Sequence, residues 1–194
     1  RYRLKAFHMT DFVAGAAPYG QWGKKREERL LEFIQVVNRA AIFPVSVTIP
    51  IATYSSALSE DQRARCGNPY FLAAWGCFHE VTKWLRANRP LEDEVAYVYD
   101  QGDQGRGEVF KAFNFIYDDH ELRKMHRLIS MDFQSKIRFT PIQAADILAW
   151  TVQDEVLRSI GVDRRPRPEN LDELRLSEIL YPTPDQLREI VDHF

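Results

Sequence analysis

The chain has 194 residues, of which 45% are hydrophobic and 28% charged, the balance of an ordinary soluble globular protein of about one domain with an appendage. No apolar run approaches the ~18 residues that a membrane span requires. A net charge of −2 and a pI near 6.2 lack the basic footprint of a protein that coats nucleic acid, while leaving room for an enzyme that grips it through a local patch and metal ions.

Residues 2–8 read as a strand, and residues 15–23, with three glycines and Pro18, as a loop. Residues 24–40 form a helix whose apolar face carries Leu30, Leu31, Phe33, Ile34 and Val37, continuing to Ala41. Residues 43–54 alternate, with Val45, Val47, Ile49 and Ile51 on one face, so a strand is expected there, with Pro50 placing it at an edge or bulge. Ser59 and Gln62 have the spacing of a capping box. Asn68-Pro69 reads as an N-cap with proline at the first helical position, opening a broad aromatic helix to about Ala87. Two cysteines, Cys66 and Cys77, make no disulfide framework and fit a reducing cytoplasm. Their spacing around His79 fits no zinc pattern, so both read as small buried side chains.

Val95-Ala96-Tyr97-Val98-Tyr99-Asp100 is apolar on both faces, as a central buried strand should be, and runs into a glycine-rich loop. A helix over 108–117 and a short strand over 126–133 follow. Residues 134–140 lead into a helix with Ile142, Ala145, Leu148, Ala149, Val152, Val156 and Ile160 on one arc, at roughly 100° per residue, and with Trp150 and Leu157 extending that arc on one side. Residues 158–170 read as a linker. Arg158, Arg164, Arg165 and Arg167 make it the densest basic stretch, either a solvated linker or a phosphate-tracking arm. Thr183 and Gln186 form a second capping box, opening a terminal helix to Phe194. Strands alternating with helices predict an α/β domain over 1–160, with a linker and helix over 161–194.

Two carboxylates stand out. Asp146 falls between Ile142 and Trp150, inside the apolar arc, where a bare carboxylate is strongly disfavoured unless paired, protonated or bound to metal. Asp100 ends a strand, where open α/β sheets place ligands. Together they would make a like-charge cluster that cations neutralise. Hard oxygen ligands suit Mg2+ or Mn2+, and two such ions ~4 Å apart support phosphodiester hydrolysis. The plainer alternative is a structural ion pair of Asp146 with Lys136 or Arg138, with Asp100 as a turn residue. His8 and Asp11 are candidates for acid–base chemistry or further ligation, against the plainer roles of core histidine and helix N-cap. Ser135 and Lys136 are candidates for contacting phosphate. Gln143, one turn before Asp146, is placed to orient a water or bond the backbone. Glu108 is a further carboxylate, at a helix start the dipole favours. Gly102, Gly105 and Gly107 match no phosphate-binding fingerprint.

Phe133-Gln134-Ser135-Lys136 running into Pro141-Ile142-Gln143-Ala144-Ala145-Asp146-Ile147-Leu148-Ala149-Trp150 resembles the C-terminal signature of the domain-of-unknown-function 3800 family. Tyr97-Val98-Tyr99-Asp100 is similar to that family's internal strand, and Phe7-His8-Met9-Thr10-Asp11 to its histidine-containing stretch. The resemblance runs from about Phe7 to Ile160. It implies a ribonuclease H-like mixed sheet flanked by helices, and a metal-dependent nuclease acting on RNA or DNA with Asp100 and Asp146 as metal ligands. The family's N-terminal Asp-Glu-Ser-Gly strand does not occur in this sequence, and the third acidic ligand is expected upstream of Arg1. The competing expectation is a non-catalytic module of the same fold, acting with a protein partner or as a homo-oligomer.

Overall fold

Side-chain caps fix several helix boundaries in the computed structural model, which describes residues 4–162, 166–176 and 178–192. In chain order these are α1 (Met9–Ala14), a 3-10 turn (Tyr19–Trp22), α2 (Lys25–Ala40), β1 (Val45–Val47), α3 (Ile51–Ala57), α4 (Glu60–Cys66), α5 (Pro69–Asn88) and β2 (Val95–Asp100). Then come α6 (Arg106–Tyr117), α7 (His120–His126), β3 (Leu128–Gln134), α8 (Pro141–Ser159), a second 3-10 turn (Glu169–Glu173), β4 (Glu178–Leu180) and α9 (Pro184–Val191). Ser59 with Gln62 and Thr183 with Gln186 close both expected capping boxes. The Asn68 side chain accepts from the Tyr70 and Phe71 N–H groups, with Pro69 at the first helical position. Each cap satisfies donors that the first helical turn leaves orphaned.

The fold is mixed α/β with helix predominating and small parallel sheets, β1 with β4 and β2 with β3. A parallel pair needs a crossover, and α6 and α7 provide it between β2 and β3.

Several elements depart from the sequence reading. Residues 4–8 are irregular, and Tyr2 and Arg3 lie outside the described residues. The alternation over 43–54 yields only a three-residue strand, because Pro50 becomes the extended N-cap of α3 and Ile51 starts a helix. Proline donates no ladder hydrogen bond but suits a helix start. Strand β2 pairs with β3 alone among the described residues and is half-buried, so it is not a central strand. The segment 126–133 starts as the end of α7, whose Asp119 cap the sequence reading missed, and turns to strand at Leu128. Cys66 is buried and Cys77 half-buried, yet burial of the Cys77 thiol pushes its pKa up to about 11.

Contacts divide the chain into two units. The first comprises Arg1–Pro44 and Gln134–Glu178, the second Val45–Phe133 and Ile179–Phe194. The first unit's core gathers Phe7, Met9, Phe12, Tyr19, Leu30, Ile34, Ile147 and Trp150. Phe7 is fully buried among the rings of Phe33 (4.8 Å), Phe12 (5.5 Å) and Tyr19 (5.7 Å). The second unit's core lies along α5 and α6, where Phe71, Leu72, Phe78, Val109, Phe113 and Ile116 pack together with Leu187 of α9.

Candidate functional site

Helix α8 buries Ile142, Val152 and Trp150 of the expected arc, but its buried face also takes in Ile147, Thr151 and Asp154, while Ala145 and Ala149 of the arc are exposed. Ile160 is exposed too. The physical reason is size: burying an indole and an isoleucine removes far more apolar surface from water than burying two methyl groups. Asp146 therefore lies at the edge of the buried face, with its side chain 25% exposed.

Three of the candidate residues meet at that edge. Asp146 Oδ2 accepts from the Met9 N–H at 2.8 Å and lies 3.5 Å from His8 Nδ1. Asp146 Oδ1 lies 3.9 Å from Lys136 Nζ. One turn back on α8, Gln143 accepts from the Phe7 N–H at 2.8 Å and donates to the Lys136 carbonyl at 2.7 Å. The Tyr19 hydroxyl accepts from the His8 N–H at 2.9 Å. Burial pushes the Tyr19 phenol up, and the negative charges of Asp11 and Asp146 push it the same way. These bonds hold residues 6–9 in register against α8. The extended backbone at His8 alternates its neighbours, so Phe7 and Met9 enter the core while the His8 ring stays on the Asp146 side.

The compensation for Asp146 is thus on view. Helix α1 has His8 at its N-cap position with no side-chain cap of its own. Asp146 supplies that cap from 137 residues away, and its charge suits the positive end of the helix. Lys136 makes the ion pair of the plainer alternative, and Gln143 takes the backbone-bonding role. The His8 Nδ1 atom, by contrast, is buried without a hydrogen-bond partner, although its side chain as a whole is 42% exposed.

The remaining candidates lie elsewhere. Asp11 is exposed in the first turn of α1, at its third residue and not its N-cap. Ser135 accepts from the Ile137 N–H in the turn before α8. Asp100 belongs to the second unit, where its Oδ1 accepts from the Gly102 N–H at 3.1 Å, an Asx turn that shapes the glycine-rich loop. Asp103 continues that loop by accepting from the Gly105 N–H and the Tyr70 hydroxyl. Glu108 pairs with Lys111 one turn on.

The fully buried carboxylate of α8 is Asp154, which sequence reasoning missed. Its side chain is 0% exposed, and its Oδ2 accepts from Arg158 Nε at 2.8 Å and Arg167 Nη1 at 2.7 Å. Arg167 Nη2 reaches Asp172 Oδ1 at 2.9 Å and Glu155 Oε1 at 3.4 Å. Arg158 and Arg167 are accordingly neither a solvated linker nor a phosphate-tracking arm, but the charges that allow Asp154 to be buried. Arg164 and Arg165 lie outside the described residues. The signal was present: Asp154 and Arg158 have the i, i+4 spacing and acid-first order of a helical pair, and Asp154 follows Trp150 by one turn.

Among the described residues no group of three or more His, Cys, Asp or Glu is gathered closely enough to hold an ion. Within the first unit the available pair is one carboxylate and one imidazole. Two ligands sharing an ion at about 2.1 Å each lie roughly 3.0–3.4 Å apart, so the 3.5 Å between Asp146 Oδ2 and His8 Nδ1 lies just beyond that span, and a small side-chain movement would let the pair share one ion. This pair does not fit two. Comparison with protein-family models, with curated proteins and with solved structures gave no match.

Proposed function

We propose that the chain is a divalent-cation-dependent phosphodiester hydrolase, a nuclease on RNA or DNA, with a ribonuclease H-like core and Asp146 as its central carboxylate. The observation that carries this reading is His8 Nδ1, buried without a hydrogen bond and 3.5 Å from Asp146 Oδ2. A buried nitrogen that makes no hydrogen bond is costly in a purely structural role. Asp146 and His8 would hold the ion. The nitrogen donor favours Mn2+ over Mg2+, which prefers an all-oxygen shell. Such a cation, when bound, supplies charge for a phosphoryl oxygen and lowers the pKa of water. Lys136 places an ammonium beside the same carboxylate, where it can attract a phosphate. Gln143 and Tyr19 position the backbone that carries His8. The mixed α/β class of the fold is compatible with the ribonuclease H-like core that the family resemblance implies.

One observation favours the non-catalytic reading. Asp146 is already compensated by the Met9 N–H and by Lys136, so the fold accounts for its charge without a cation. Cleavage of end-labelled single-stranded RNA and DNA by the full chain separates the two. The nuclease reading expects Mn2+-stimulated cleavage that falls at least roughly a hundredfold in Asp146→Asn. No cleavage with Mn2+ or Mg2+, or cleavage equal in wild type and variant, overturns it.

A further inference from the structure

Helix α5 presents His79, Lys83 and Arg86 at i, i+4 and i+7, the spacing of one helical stripe. All three are exposed. They rim a concavity of about 370 Å3 whose remaining lining is Thr82, Ala87 and, from α7, Met125. That volume lies in the lower part of the range of small-ligand sites.

Three features of this concavity are chemically distinct. The first is positive charge. Lys83 Nζ lies 3.2 Å from Glu80 Oε2, while Arg86 has no carboxylate partner among the described residues. The field is felt below: burial lowers the pKa of His126 to about 4, and the nearby His79 and Arg86 add to that effect. The second is a flat ring. The His79 imidazole stacks on Trp75 with centroids 5.4 Å apart and planes at 14°. The indole behind it holds the imidazole as a fixed aromatic surface. The third is apolar material, the Ala87 methyl and the Met125 thioether, which is polarisable and packs well on aromatic rings. The Thr82 hydroxyl is already occupied, bonding the Phe78 carbonyl at 2.8 Å and lying 2.7 Å from His126 Nδ1.

The geometry points to a nucleotide site in the second unit. The phosphate of the ligand binds Arg86 and Lys83, and its base lies on His79 against Met125 and Ala87. A guanidinium fork matches phosphate oxygens, and a base stacks on any flat aromatic surface. Neither a bare phosphate nor a bare nucleoside uses both halves of the site. A mononucleotide and an unstacked nucleotide of a single strand share this chemistry. The inference stands on α5 and α7 and does not rest on the reading of Asp146.

The test follows the 1H–13C ring signals of His79 in the full chain, labelled at histidine and assigned with His79→Gln, during titration in metal-free buffer. AMP is expected to shift them saturably, with adenosine and inorganic phosphate each weaker by roughly tenfold or more. Arg86→Gln should weaken AMP by about tenfold while leaving adenosine unchanged, and Lys83→Gln should act in the same direction. Both positions are exposed, so a retained circular dichroism spectrum confirms that the variants fold. Asp146→Asn should leave AMP binding unaltered. A single-stranded oligoadenylate that binds at least tenfold more tightly than AMP identifies a strand as the source of the nucleotide, and equal binding identifies a mononucleotide. No saturable shift with AMP, or AMP affinity unchanged in both Arg86→Gln and Lys83→Gln, overturns the inference.

Discussion

Replacing Asp146 separates its structural duty from any chemical one, because asparagine keeps one duty and alanine neither. Asp146→Ala removes the acceptor of the Met9 N–H, and Met9 is fully buried, so that donor loses its partner beside the core. Loss of an N-cap costs about 1 kcal/mol, and loss of a hydrogen bond to a charged group about 1.5–3 kcal/mol. Asp146 is a quarter exposed, which places the cost toward the lower part of the combined range. The Lys136 pair at 3.9 Å adds less than about 1 kcal/mol. The alanine variant should therefore lose about 2 kcal/mol. Asp146→Asn retains an oxygen for the Met9 N–H and forfeits only the charge, so it should lose about 0.5–1 kcal/mol. Urea unfolding measures both. Hydrogen exchange at the Met9 amide should stay slow in wild type and asparagine variant and quicken with alanine. Equal loss in the two variants, or no loss in either, would refute the capping role.

Other outcomes follow from the same contacts. Arg167→Met leaves the buried Asp154 with Arg158 as its remaining guanidinium partner among these contacts, and breaking a buried pair this way should cost about 3 kcal/mol, whereas Arg29→Ala, at an exposed pair with Glu32, should cost under about 0.5 kcal/mol in the same urea assay. His126 is held neutral by burial, with a folded pKa near 4 against an ordinary 6.5, so the unfolded chain binds more protons between those values. The part of the stability that depends on His126 should be complete above pH 6.5, fall as pH drops toward 4, and change little below it. The slope should be at most about 1.4 kcal/mol per pH unit and should shrink in His126→Gln. With Cys66 buried and the Cys77 thiol raised to about 11, native protein at pH 8 should react with a thiol reagent far more slowly than protein in denaturant. Rapid native labelling would contradict the packing around α5. Ser59→Ala should cost about 1 kcal/mol through the lost capping box of α4.

What could be read from the sequence were features with a local cause. Asn68-Pro69, Ser59 with Gln62 and Thr183 with Gln186 act within four residues, so their residue types suffice to set helix starts. The segment after Pro50 failed because an alternating pattern over a few residues is also compatible with a short helix, and tertiary packing decided. The face of α8 was legible in part: Ile142, Trp150 and Val152 are buried, but the small Ala145 and Ala149 were given equal weight and are exposed. His8, Lys136 and Asp146 were each legible as candidates. That they meet was not, because their meeting depends on Phe7 and Met9 anchoring residues 6–9 in an aromatic core 137 positions away from Asp146. Asp154 escaped notice because one of its two arginines, Arg167, arrives from beyond α8 along a path the sequence does not encode locally.

Isothermal titration of the full chain with Mn2+ probes the Asp146–His8 pair most directly. The nuclease proposal expects one saturable site, lost in both Asp146→Asn and His8→Ala while the asparagine variant stays folded. Absence of saturable Mn2+ binding in the wild type, or binding unchanged in both variants, would contradict it and leave Asp146 as the cap of α1.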